Sequence, residues 1–258
     1  MKVEIHDSFD SLSNLREEWN PLLQRSESNV LFLTWEWQRA WWQAFGHGKD
    51  LRVLSIRDER GDLQAIVPLF VQETHFDPLI ASPNTNTENP FNVASGTRQR
   101  IVHLVGGTEV SDYLDIVTPT ELTREVCALL LDILADMDGW NVLDLRPLPA
   151  RSPTASAVTE LSRTHGWDVH QTREDICPVL ALPDTWEKYL SQTLNKKQRH
   201  ELRRKIRRAE QRTRVEWHWI DDRDALREGL KIFFRLHKAS HPGKDAFMDQ
   251  RMPGFFTE

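Results

Sequence analysis

Residues 101–145 read IVHLVGGTEVSDYLDIVTPTELTREVCALLLDILADMDGWNVLDL, and three kinds of pattern follow one another within them. The β-branched run 101–105 is closed by Gly106-Gly107, and a second such run, 113–117, follows the polar stretch 108–112. Both are expected to be strands. Segment 121–137 puts Leu122, Val126, Leu129, Leu130, Ile133 and Leu134 inward at helical spacing, so a helix is expected there. Segment 140–145 returns to a short apolar run, stopped by Pro147 and Pro149, and reads as a strand of the buried type. Strands, an amphipathic helix and then a buried strand point to a mixed α/β fold.

Upstream, 3–5 opens an edge strand, and Asp10 or Ser11 starts a helix carrying Leu12, Leu15, Trp19, Leu22 and Leu23. Thr34 caps a second helix, TWEWQRAWWQAFG at 34–46, which Gly46 ends. Segments 51–56 and 63–71 flank the turn Glu59-Arg60-Gly61-Asp62 as a hairpin, and the Pro/Asn/Thr-rich 77–96 is a loop. Downstream, 152–165 is expected as a helix and 167–170 and 179–182 as strands. Asp184-Thr185-Trp186-Glu187 has capping-box spacing and opens a long helix to Arg212. A strand at 215–220 and a helix at 223–240 follow, and 242–258 shows no clear ending. The final strand and helix look like the start of a second unit of the same kind, not completed within this sequence. The expected domains are therefore 1–182, a connecting helix at 183–213, and an incomplete second unit at 214–258.

The chain has 258 residues, 39% of them hydrophobic and 28% charged, enough for one large domain or two modest ones. Tryptophan stands out, with ten copies against two tyrosines. The opening MKVEIHDSFD lacks an apolar signal core, and no run nears the roughly 18 apolar residues of a membrane span. A cytoplasmic protein is expected. Cys127 and Cys177 stand in apolar surroundings without a CxxC or Cys/His cluster, as buried thiols in a reducing compartment would. His200-Glu201-Leu202-Arg203-Arg204 opens like HExxH but has arginine where the second histidine must stand. No metal is expected, and the absence of GxSxG argues against a serine hydrolase.

Segment 196–214, KKQRHELRRKIRRAEQRTR, carries ten Lys/Arg against Glu201 and Glu210, a net of +8 in a chain whose net charge is −6. Everything outside it therefore sums to −14. On a helical period Leu190, Leu194, Leu202, Ile206 and Ala209 form an apolar stripe, with Lys196, Arg199, Arg203, Arg207 and Arg214 on the flanks and opposite face. Guanidinium groups match phosphate oxygens bidentately, so this face is the candidate site for a phosphate-bearing or nucleotide-linked ligand. The bland alternative is a solvated charged face paired with the acidic body. Nucleic acid is a third reading, with Trp217 and Trp219 nearby for stacking. The negative charge elsewhere and the lack of recognised nucleic-acid motifs weigh against it.

Several stretches in order carry a family resemblance: FLTWEWQRAWWQAFG near the start, SDYLDIV at 111–117, LDLRPLPARSP at 143–153, CPVLALPDTWEKYL at 177–190, LNKKQRHELRRKIRRAE at 194–210 and FRLHKASHPGKDAFMD at 234–249. With them the chain resembles the GNAT-type acyltransferases associated with cellulose biosynthesis, relatives of the Fem-type aminoacyltransferases. The resemblance implies two GNAT-like domains in tandem, the second incomplete here, and transfer of an acetyl or acyl group from a CoA thioester to an amine or hydroxyl. It also implies an acceptor in cell-envelope or exopolysaccharide metabolism. An acyl-CoA cofactor is implied as well, although the usual pyrophosphate-loop signature, Arg/Gln-x-x-Gly-x-Gly/Ala before a helix, is not found in the sequence. By motif, Arg199 matches the arginine that Fem-type relatives use on substrate phosphates.

Within SDYLD at 111–115, the resemblance makes Asp112 or Asp115 the candidate base and Tyr113 the candidate acid, since acyl transfer to an amine needs both. A capping aspartate, a packed tyrosine and an edge carboxylate are the structural alternative. Trp35, Trp37, Trp41 and Trp42 invite a sugar-stacking reading, against which core packing is the simpler account. An alternative function remains: a non-catalytic module that holds a phosphate-bearing ligand on the basic helix. An incomplete second unit would expose apolar surface, so self-association through it is expected.

Overall fold

The computed structural model describes residues 1–75, 97–107 and 110–258. The expected loop at 77–96 lies outside the described residues. Five strands form one sheet in the order β1-β2-β3-β4-β5: β1 (Lys2–His6), β2 (Asp50–Arg57), β3 (Leu63–His75), β4 (Arg98–Leu104) and β5 (Val142–Asp144). The first four are antiparallel neighbours, and β5 runs parallel to β4. A parallel pair needs a crossover connection, supplied by α3 (Thr123–Asp136). The mixed α/β expectation holds.

The helices form where apolar residues recur at helical spacing, and α2 and α4 also carry side-chain caps. In α1 (Arg16–Leu23) Trp19, Leu22 and Leu23 are buried, and the Trp19 indole N–H donates to the Leu33 carbonyl at 2.8 Å. Thr34 caps α2 (Trp35–Phe45), its hydroxyl accepting from the Trp37 amide, the expected bond. Trp35 packs edge-on against Trp19 and Phe9, and Trp41 packs on Phe70 of the sheet. These rings are core, and core packing rather than sugar stacking accounts for them. Ser152 caps α4 (Pro153–Thr164), which packs on α3.

Two compact units emerge, Met1–Glu174 with Pro242–Glu258, and Asp175–His241. This division differs from the boundaries at 182 and 213 read from the sequence. In the first unit the C-terminal helices α8 (Pro242–Phe247) and α9 (Arg251–Thr257) follow the sheet and α1–α4. α9 returns onto α2, where Phe255 meets Trp37 edge-on at 4.9 Å and lies 5.5 Å from Phe45. Met248, Met252 and Phe255 are buried, so the stretch without a clear ending is a docked one. The second unit contains α5 (Trp186–Lys188), a π-helical turn Tyr189–Thr193, α6 (Lys196–Arg212) and α7 (Arg223–Ser240).

Several expected elements differ. Segments 167–170, 179–182 and 215–220 form no strand, because alternation supplies an apolar face but not the neighbouring backbone that a strand must bond. The long helix expected over 184–212 is broken at Leu194-Asn195. Asn195 and Gln198 form a reciprocal capping box, both bonds 2.9 Å, which restarts the helix locally. Thr185, not Asp184, caps α5. Finally, β5 is half-buried throughout rather than of the buried type.

Candidate functional site

Strand β4 ends opposite β3 with Leu104 paired to Leu69, and the Val105 amide still donates to the Pro68 carbonyl at 2.7 Å. The chain then leaves the sheet at Gly106 and rejoins the same side of β3 at Val117, which exchanges two 2.9 Å bonds with Ile66. The strand expected at 113–117 is thus reduced to one bridge. β4 already occupies that side of β3 from Leu69 onward, and Tyr113 sits at φ 57, a left-handed conformation that breaks an extended run. Gly106 has φ 125, and a Cβ there would stand 2.6 Å from the buried Leu114 side chain. The departure from the sheet requires glycine.

This excursion carries all three sequence-nominated proton-transfer groups, in three different environments. Asp115 is 2% exposed. Its Oδ2 accepts from the Ser28 hydroxyl at 2.5 Å, and its Oδ1 accepts from the Ile116 amide at 2.8 Å. Asp112 is exposed and makes no side-chain hydrogen bond among the described residues. Tyr113 lies half-buried between them. Ser111 fixes the start of the excursion, donating to the Gly106 carbonyl at 2.7 Å and accepting from the Trp37 indole at 2.9 Å. Gln38 of α2 adds a 2.8 Å bond to the Val105 carbonyl. Burial pushes the Cys127 thiol up to about 12, with the Asp115 charge contributing, so this cysteine is no nucleophile at neutral pH.

A second cluster forms at the end of β5, where Asp144 stands opposite His103 in the β4–β5 register. Arg146 donates to Asp144 from Nη2 at 2.6 Å and from Nε at 2.9 and 3.0 Å. His103 Nδ1 lies 3.6 Å from the same carboxylate, and its ring stacks on Phe70. Burial alone would raise the Asp144 carboxyl, but the Arg146 bonds and charge, with His103, outweigh it and hold the group below the ordinary carboxylate range. A depressed folded value stabilises the fold above the unfolded value near ~4, and the gain is lost as pH falls through the folded value. Asp144→Asn is therefore expected to flatten the acid limb of a stability–pH curve, while the parent chain loses more of its stability on acidification. Urea unfolding at pH 7 and below pH 4 (about the unfolded value) checks this. Sequence reasoning missed these residues, although LDLR lay within a quoted stretch. Both the excursion and this cluster follow the carboxyl ends of the parallel pair, where open α/β sheets bind ligands.

In the second unit α6 carries the nominated phosphate-binding residues, and it divides them. Arg199 turns back, its Nη1 donating to the carbonyls of Leu194, Leu190 and Ser191 at 2.6, 3.3 and 3.4 Å. It thereby satisfies carbonyls that the π-turn leaves open. Lys196, Arg203 and Arg207 are exposed and make no ion pair or side-chain hydrogen bond among the described residues. Arg204 and Lys205 pair with Glu201, so part of the charge is internally compensated. Among the described residues no group of three His, Cys, Asp or Glu is arranged to hold a metal ion.

Residues 196–258 match the family described as an acetyltransferase (GNAT) domain. The matched stretch covers α6 and α7 of the second unit and α8 and α9 of the first. It supports acyl transfer as the general activity. No curated protein matches the chain. Among solved structures, a mutant of the BH1408 protein from Bacillus halodurans aligns with 70% of this chain and 100% of its own, at 13% identity and a TM-score of 0.32.

Proposed function

We propose that the chain is a GNAT-type acyltransferase that moves an acyl group from a CoA thioester to an amine or hydroxyl acceptor. The observation that carries this is the acetyltransferase-domain match over 196–258. The mixed sheet with its parallel final pair is compatible with it. The tandem arrangement and the cell-envelope or exopolysaccharide setting belong to the same proposal and rest on the resemblance, and the cytoplasmic setting rests on the sequence pattern of the first residues.

In this reading the excursion after β4 supplies the proton chemistry. An ammonium acceptor must lose a proton before it attacks, and the leaving group must gain one. Asp112, open to solvent, is the base and Tyr113 the acid, while Asp115 holds the excursion through Ser28 and Ile116. The junction between β4 and α3 does not fit a CoA diphosphate. Glu121 and Glu125 stand in the first turns there, and Arg124 beside them is paired with Glu160 at 2.6 Å, so the positive helix end faces its own carboxylates. No step is assigned through the nucleotide part of a donor.

A second reading is favoured by the open cations of α6. Lys196, Arg203 and Arg207 hold a phosphate-bearing ligand, with Arg199 joining them only by releasing its carbonyl partners. The first reading is tested by following thiol release from acetyl-CoA with a panel of amines and hydroxyls. Asp112→Asn and Tyr113→Phe are each expected to lower turnover by about 10²-fold or more. Turnover unchanged in both variants would refute the assignment.

A further inference from the structure

The second unit combines a cationic helix with unusual apolar exposure. Residues 175–241 hold sixteen Lys/Arg and ten Asp/Glu, a net of +6, which leaves −12 for the rest of a −6 chain. Neither α6 nor α7 buries a single residue. Directly after the basic run, Trp217 and Trp219 are 80% and 85% exposed. Leu226, Ile232, Phe233 and Leu236 lie along one arc of α7, all exposed. Val179, at 94%, and Leu182, at 77%, add to the same unit's apolar surface.

Exposure on this scale marks an interaction surface, and the charge narrows the partner. A nucleic acid would use the arginines but give the arc of α7 no role. A second copy placed face to face would oppose two units of net +6. An anionic bilayer uses both features: indole rings settle at the headgroup level, and Lys/Arg clusters are drawn to anionic lipid. Helices rich in Lys/Arg on one face and apolar on another lie in that interface. We propose that the second unit docks on an anionic phospholipid surface. Lys196, Arg203 and Arg207 meet the headgroup phosphates, and Trp217, Trp219 and the apolar arc of α7 enter the acyl boundary. This rests on the second reading above and names its ligand. The docking is peripheral, since among the described residues no helix is long and apolar enough to cross a membrane.

The test is co-sedimentation of the full chain with vesicles of phosphatidylcholine alone and with phosphatidylglycerol added, repeated with brominated lipid to quench tryptophan. Binding is expected only to the anionic vesicles, with quenching that Trp217→Ser plus Trp219→Ser abolishes. Arg203→Gln plus Arg207→Gln is expected to weaken binding roughly 30-fold, about fivefold per charge. All four side chains are exposed, and far-UV circular dichroism verifies that the variants fold. Equal binding to neutral vesicles overturns the proposal, as does no binding to either. Full competition by soluble glycerophosphate or single-stranded DNA, without quenching, overturns the bilayer while sparing the phosphate reading. Concentration-dependent self-association that protects Trp217 and Trp219 without lipid makes a second copy the occupant and likewise overturns it. Thiol release from acetyl-CoA is read separately, so failure of either account leaves the other distinguishable.

Discussion

Phe255→Ala is expected to lower the unfolding free energy by about 3–5 kcal/mol, as large-to-small changes at buried aromatic positions do. Phe255 is 4% exposed and sits between Trp37 and Phe45, with the Arg251 guanidinium 5.1 Å over the Phe45 ring. Removing the ring leaves a cavity under α9 and forfeits an edge-on contact with Trp37 and a tilted one with Phe45. The change also frees a helix held by few other buried groups, Met248 and Met252 among them. Limited proteolysis is therefore expected to cut within 242–258 in the variant and not in the parent chain. Phe256→Ala, at a partly exposed neighbour, serves as the control and is expected to cost less than about 1 kcal/mol. Urea unfolding measures both. Equal losses in the two variants would mean that α9 is not docked through Phe255.

The second large effect is expected at Asp115. Asp115→Ala strips partners from the Ser28 hydroxyl and the Ile116 amide in a buried setting, where each unsatisfied polar group costs about 1–3 kcal/mol. A total of about 2–4 kcal/mol is expected. Asp115→Asn keeps an oxygen for the Ile116 amide and offers an N–H to Ser28, so it should retain most of that stability. A base role for Asp115 predicts in addition that thiol release collapses in the folded Asn variant, whereas a holding role leaves it largely intact. The double cycle of Asp115→Ala with Ser28→Ala isolates the pair, and a coupling of about 1 kcal/mol or more is expected for contacting groups.

What was legible in the sequence is what neighbours along the chain decide. Leu12, Leu15, Trp19, Leu22 and Leu23 are all buried as their spacing requires, and Thr34 and Gly46 bound α2 as their chemistry suggests. The hairpin of β2 and β3 and the whole of α7 follow the same local logic. Strands at 113–117 and 215–220 were not to be had, because alternation cannot announce whether a partner edge is vacant. At 113–117 the edge was already taken by β4. The long helix broke because a local capping box at Asn195 and Gln198 competed with continued propensity.

The site divides along the same line. SDYLD was identified as the chemistry-bearing loop, but nothing in those five letters reveals that Asp115 meets Ser28, 87 residues away. The pairing of His103 with Asp144 depends on strand register, which a single sequence fixes poorly when one strand is three residues long. The cationic face of α6 was plain from composition. That Arg199 would turn toward the Leu190, Ser191 and Leu194 carbonyls required the break in the helix to be known first.

Calorimetric titration of the full chain with acetyl-CoA, alongside dephospho-CoA and inorganic phosphate, tests the acyl-transfer account most directly. Saturable one-site binding of acetyl-CoA, tighter than that of inorganic phosphate, is the predicted result. A flat acetyl-CoA titration from a chain that unfolds cooperatively would contradict it.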